Sequence, residues 1–102
     1  CTTVLKSAQE TPVTAMILAE ILNEVGVPKG VVNIITGGAQ EGEQLLKNPK
    51  VRKIAFTGST AVGRKIMQAA GTNLQKLSLE LGGKSANIVL DDADLSIAVD
   101  GA

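Results

Sequence analysis

One carboxylate, Glu80, stands inside the alternating run Leu77-Ser-Leu-Glu-Leu81, and Gly82-Gly83 follows at once. In a strand, alternation places Leu77, Leu79 and Leu81 on one face and Ser78 and Glu80 on the other, so the carboxylate leaves the apolar layer near the strand end. The two glycines leave space for a ligand and let the chain bend without a Cβ in the way. A carboxylate partly withdrawn from water has its pKa raised and works as a base near neutral pH. Glu80 also lies 22 positions after Gly58, about where an ordinary dinucleotide fold keeps its ribose-binding acid. Three readings follow from position alone: general base, ribose ligand, or solvated edge residue.

The second stretch with chemical potential is Phe56-Thr-Gly-Ser-Thr-Ala-Val-Gly63, a strand turning into a helix through small residues. Free backbone N–H groups and the positive helix end then face outward together, which suits an anion. Gly58 lets backbone approach a phosphate, Ser59 and Thr60 offer hydroxyls or an N-cap, and Gly63 permits close helix-sheet packing. A plain capped turn accounts for the same residues. Gly58 and Gly63 have P-loop spacing, but Arg64-Lys65 follows where that loop needs Lys and then Ser or Thr,. The dinucleotide fingerprint G-x-G-x-x-G is absent too, because Thr60 occupies its second glycine position,.

Residue types that are absent narrow the chemistry. With no His in 102 residues, a Ser-His-Asp triad, a Cys-His pair and a histidine metal site are all excluded within this chain. Acid-base work falls to Asp, Glu or Lys. Cys1, the only cysteine, has no partner for an intrachain disulfide, and its terminal place argues against a nucleophile. Asp91, Asp92 and Asp94 cluster ahead of a helix, where capping and the helix dipole favour carboxylates, so no metal is assigned to them. Ten basic and ten acidic side chains cancel, which removes the main electrostatic reason to expect nucleic acid or an anionic membrane as partner. No segment has the length of a membrane span or the pattern of a signal peptide, and the cytoplasm is the expected compartment.

These residues need elements to position them. Thr11 as N-cap, Pro12 at the first helical position and Gly26 past the end bound a helix. Gly30 to Ile35 reads as a buried strand that leaves into Thr36-Gly37-Gly38, and a short helix follows near Glu41 to Lys47. Lys53 to Phe56 is the next strand, followed by a helix from about Ala61 to Ala70 that Gly71 closes. Gln75 to Leu81 and Ala86 to Leu90 are further strands, and the last helix begins after Asp94. Such alternation predicts an α/β fold, a partial Rossmann-like, mostly parallel sheet with helices on both faces. Ligands bind such sheets at the carboxyl ends of the strands, where Gly37, the Gly58 turn and Glu80 all fall. Beginning in the strand-like TTVLK and stopping in the helix-like LSIAVDGA, residues 1–102 are expected to be a partial domain, truncated at both ends.

TVLK…TP at Thr3 to Pro12, GVVNIITG at Gly30 to Gly37, FTGSTAVG at Phe56 to Gly63, LELGGKS at Leu79 to Ser85 and DDADL at Asp91 to Leu95 together resemble the aldehyde dehydrogenase superfamily, in its order and approximate spacing. The resemblance implies the central part of that family's cofactor-binding domain, a Rossmann variant without the ordinary fingerprint. It implies oxidation of aldehydes to carboxylic acids with NAD or NADP through a covalent thioacyl intermediate, in a homo-oligomeric parent whose nucleophilic thiol lies beyond Ala102. The isolated chain is then expected to be inactive.

Carried over residue by residue, the resemblance makes Glu80 the general base that activates water against the thioacyl group. Lys6 matches the lysine on the adenine ribose, and Gly37, Phe56, Thr57, Thr60 and Gly63 fall within the matching cofactor segments. Gly58 and Ser59 match the turn beside the pyrophosphate, Val62 a position near the adenine, and Leu81 and Gly82 positions close to the nicotinamide end. Two residues depart from the pattern: Ser7 follows the lysine where Pro is usual, and Gln9 stands where Glu is usual. A carboxylate at that place binds ribose hydroxyls and repels a 2′-phosphate, so neutral Gln9 leaves NAD and NADP both open. The competing class is a non-catalytic α/β module that holds a nucleotide or phosphate.

Overall fold

The computed structural model describes residues 1–83 and 85–101; Lys84 of the LELGGKS stretch and Ala102 lie outside them. Strands and helices alternate as β1 (Thr3–Lys6), α1 (Pro12–Glu24), β2 (Val32–Ile35), α2 (Ala39–Lys47), β3 (Lys53–Gly58), α3 (Thr60–Asn73), β4 (Lys76–Leu81) and α4 (Leu95–Gly101). The chain is a mixed α/β, partial Rossmann-like structure in which all strand pairing among the described residues is parallel.

Pro12 occupies the first turn of α1, where its missing N–H would be unpaired in any case,. At the other end Gly26 takes φ +76°. The Gly26 N–H donates to the Asn23 carbonyl at 3.2 Å and the Val27 N–H to the Leu22 carbonyl at 3.0 Å, the paired bonds of a Schellman close. A second turn, closed by the Val31 N–H on the Pro28 carbonyl at 3.2 Å, leads into β2, whose β-branched Val32, Ile34 and Ile35 suit a pleated strand,.

The strands form two separate parallel pairs, β1–β2 and β3–β4, rather than the single sheet expected. The expected strand over Ala86 to Leu90 is also absent, for residues 85–90 have no regular structure. Only residues 82–85 separate β4 from this stretch, whereas a parallel return needs a crossover of about a dozen residues. Residues 86–90 therefore cannot lie parallel beside β4, and Ile88 and Leu90 stay exposed. The helix after β3 likewise runs past Gly71 to Asn73, and Leu74 supplies the left-handed cap at φ 51°. Gly71 meets nothing within 4 Å of a Cβ position, so it only weakens the helix there. Chain reversal comes later, where the Gln75 N–H donates to the Ala70 carbonyl at 3.1 Å and Gln75 Nε2 to the Val51 carbonyl at 2.8 Å.

The best-formed core lies between β3–β4 and α3. Register pairs Ile54 with Leu77, Phe56 with Leu79 and Gly58 with Leu81; Ile54, Phe56 and the three leucines make a strip of half-buried apolar side chains on one sheet face. Gly63, Ile66 and Ala70 are the buried residues of α3, spaced as one helical stripe. By contrast α1 has no buried residue, although Val13, Met16, Ile17, Leu18 and Ile21 make it apolar on most sides. The radius of gyration, 18.5 Å, exceeds the roughly 13 Å of a compact chain of this length. The apolar surface of α1 is left unpacked among the described residues.

Candidate functional site

Alternation in β4 works as its residue types dictate: Leu77, Leu79 and Leu81 are half-buried, and Ser78 and Glu80 are exposed. The β3–β4 register sets Glu80 opposite Thr57 and Leu81 opposite Gly58. The carboxylate thus emerges at the carboxyl end of the pair, one residue from the turn that starts α3. Glu80 accepts no hydrogen bond among the described residues, so its oxygens are open to solvent or ligand.

In that turn Ser59 is the N-cap. The Val62 N–H donates to its Oγ at 3.3 Å, and the Gly63 N–H to its carbonyl at 2.9 Å. A helix start leaves its first N–H groups without intrahelical acceptors. Those of Thr60 and Ala61 have none among the described residues, and the first turn carries no acidic side chain. The positive helix end is therefore exposed and unneutralised. Thr60 Oγ1 lies 3.5 Å from where a Cβ on Gly82 would stand, so the end of β4 borders the same turn. Val62, exposed on the first turn of α3, puts an apolar surface next to these donors.

A second group sits at the ends of β1 and β2. Lys6 Nζ donates to the carbonyls of Gly37 at 2.8 Å and Ser7 at 2.9 Å, tying the two strand ends together. Gly37 has φ +146°, a conformation that strains any residue with a Cβ. Gln9 reaches the following residue: its Oε1 is 2.9 Å from a Cβ position on Gly38. The Gly38 N–H donates to Glu41 Oε2 at 2.7 Å, so the start of α2 carries its own carboxylate. No hydrogen bond among the described residues joins this group to the one at β3 and β4. Lys6, Gln9 and Gly37 form one cluster; Phe56, Thr57, Gly58, Ser59, Thr60, Val62, Gly63, Glu80, Leu81 and Gly82 form the other.

Glu41 escaped the sequence reading as a functional side chain. Its signal is an acid three residues after the position that becomes an N-cap. Of the acidic run, Asp94 acts as a cap: its Oδ1 accepts from Ser96 Oγ at 2.6 Å and from the Ser96 N–H at 2.9 Å. Those bonds, the hydroxyl first and then the backbone N–H groups of Ser96 and Ile97, hold the Asp94 carboxyl below the usual carboxylate range,.

Comparison with known proteins adds to this geometry. The sequence profile of the Aldehyde dehydrogenase family matches residues 1–102. Mitochondrial succinate-semialdehyde dehydrogenase of Arabidopsis thaliana is 54% identical over 102 residues, covering 99% of this chain and 19% of that protein. Succinate-semialdehyde dehydrogenase [NADP(+)] GabD of Escherichia coli K12 is 52% identical over 103 residues, with 100% and 21% covered. Among solved structures, a Mycobacterium tuberculosis aldehyde dehydrogenase complexed with NAD+ superposes with a TM-score of 0.83 at 51% identity, covering 94% of this chain and 20% of that one. The chain spans about a fifth of the length of these relatives.

Proposed function

Since this chain belongs to the aldehyde dehydrogenase family, we propose that it is the part of an NAD(P)-dependent aldehyde dehydrogenase that holds the cofactor and supplies the base for acyl release. The observation that carries this reading is the adjacency of an unneutralised helix N-terminus and an exposed carboxylate on paired strand ends.

The site fits a dinucleotide. The N–H groups of Thr60 and Ala61, the Ser59 hydroxyl and the α3 dipole suit a pyrophosphate. Val62 offers an apolar surface to a base, and the Lys6 ammonium at the β1 and β2 ends stands where a ribose hydroxyl could accept from it. When bound, the nicotinamide supplies the two-electron acceptor. Glu80 takes a proton from a water molecule, whose oxygen attacks the thioacyl carbon; the C–S bond then breaks, releasing the carboxylic acid and returning the thiolate of a cysteine that residues 1–102 do not supply. Gly82 and Gly83 leave the room that water and acyl group need, since a Cβ on Gly83 would meet nothing within 4 Å. Gln9, uncharged, repels no 2′-phosphate, so both NAD and NADP are admitted. The parent is a cytoplasmic homo-oligomer in this reading, and the 102-residue chain alone is inactive. Among the described residues no helix is long and apolar enough to cross a membrane.

Replacing Glu80 in the full-length protein tests the assignment. Glu80→Gln keeps the shape and removes the base, and should slow acyl release about 10²- to 10⁴-fold, with cofactor Kd nearly unchanged. A large loss of affinity with normal acyl release would assign Glu80 to the ribose instead. Binding of NAD or NADP by a full-length protein with no aldehyde turnover would favour the non-catalytic module.

A further inference from the structure

The glycines around the β3–α3 turn are of two kinds. A Cβ on Gly83 meets open space, and one on Gly82 meets only Thr60 Oγ1 at 3.5 Å. Gly58 and Gly63 differ, because side chains of this chain already fill their Cβ positions. The Phe56 ring reaches the Gly58 position with Cζ at 2.5 Å and Cε1 at 3.0 Å, and the Leu81 methyl groups overlap the Gly63 position.

We infer that Phe56 and Leu81 are positioning residues that set the height of the α3 N-terminus over the strand ends by filling the spaces left at Gly58 and Gly63. Phe56 and Gly58 share a face of β3, and strand side chains lean along the strand, so the ring lies over the glycine backbone. Leu81 is the register partner of Gly58, which puts the two contacts side by side. Gly63 is buried, so Leu81 meets the helix backbone itself and allows no closer or further seating without a void or a clash. Glu80 precedes Leu81 directly, and the same lock therefore fixes the carboxylate relative to the open N–H groups. On this reading Gly58 is glycine because of Phe56, whereas ligand space is left at Gly82 and Gly83.

The inference rests on the dinucleotide site proposed above, and two double-variant cycles in the full-length protein separate their fates. Gly58→Ala should raise cofactor Kd about tenfold. Adding Phe56→Leu, which withdraws the ring tip, should return Kd to within about threefold of Phe56→Leu alone. Gly63→Ala with Leu81→Ala should behave alike. Because the buried Gly63 variant is the one at risk of not folding, the strand-end pair of half-buried Phe56 and exposed Gly58 carries the test. Additive losses, with the double variant worse than either single one, overturn the lock and mean that Gly58 itself meets the ligand. If the unaltered protein binds neither NAD nor NADP, the functional reading fails; the same cycles in thermal midpoint then support the lock by coupling or overturn it by additivity.

Discussion

Two turns in this chain are built alike and differ in charge. Each leads from a parallel strand through glycine into a helix, β2 through Gly37-Gly38 into α2 and β3 through Gly58-Ser59 into α3. In the first, Glu41 folds back on the Gly38 N–H at 2.7 Å, so the positive end of α2 is answered from inside. In the second, the cap is the neutral Ser59 hydroxyl and the first turn holds no acid. Of these two, the β3–α3 turn is the one that keeps its dipole and its N–H groups for an outside anion,. Strand-to-helix turns at the carboxyl end of a parallel pair are therefore not equivalent ligand sites. What separates them here is one carboxylate three residues past the cap.

The largest effect should come from giving the second turn what the first one has. Asp caps a helix about as well as Ser, so Ser59→Asp should leave thermal stability within about 0.5 kcal/mol while putting a negative charge where the pyrophosphate is proposed to bind. Two unit charges about 4 Å apart at an effective permittivity near 20 interact by about 4 kcal/mol, and solvent exposure removes part of that. Cofactor Kd measured by titration of the full-length protein should rise about 10- to 100-fold, and the loss should shrink with added salt. Unchanged affinity would mean that the α3 start does not hold the phosphates.

Features that depend on near neighbours were legible in the residues. Pro12 and Gly26 bound α1, one of the hydroxyl pair Ser59 and Thr60 caps α3, and the leucines of β4 turn inward while Glu80 turns out, because each follows from local stereochemistry. Features that depend on distant partners were not. A parallel strand exists only where another strand lies beside it, so Ala86 to Leu90 reads as a strand by composition and has no ladder among the described residues. Gly71 reads as a helix end, yet the helix runs on to Asn73 and the residue after its left-handed Leu74 cap, Gln75, is held by the Val51 carbonyl, 24 positions away. Within the candidate site, the Phe56 ring over Gly58 was equally hidden. Spacing alone says that Gly58 allows close approach, but not that the approaching group is a side chain of the same strand.

A smaller effect tests the first turn. Glu41→Gln keeps the side chain's length beside Gly37 and removes its charge from the α2 dipole. It should cost about 0.3–1 kcal/mol in thermal unfolding at low salt, less at high salt. If answered charge is what closes this turn, the variant should also gain weak affinity for inorganic phosphate, seen as amide shifts at Gly38 and Ala39. A variant that loses no stability would show that Glu41 acts through its hydrogen bond alone.

The smallest effect extends the contrast to a third helix start. Asp94 caps α4 with a carboxylate, and its bonds to Ser96 hold its pKa below the usual range. A depressed folded pKa means that the capping contribution is complete above the unfolded carboxylate value and is lost as pH falls through the folded one. Asp94 is fully exposed, so solvent screens the interaction and the change stays local to α4. The Ser96 amide resonance should therefore move in that acid range and cease to do so in Asp94→Asn, whose amide oxygen keeps the cap without titrating. The Ser59 cap has no ionisable group, and the nearest carboxylate, Glu80, makes no hydrogen bond to this turn among the described residues, so the Val62 amide should move less than the Ser96 amide over the same range. If the Val62 resonance moves as much as the Ser96 one, a titrating group acts on the α3 start, and the charge difference between the turns is smaller than the geometry implies.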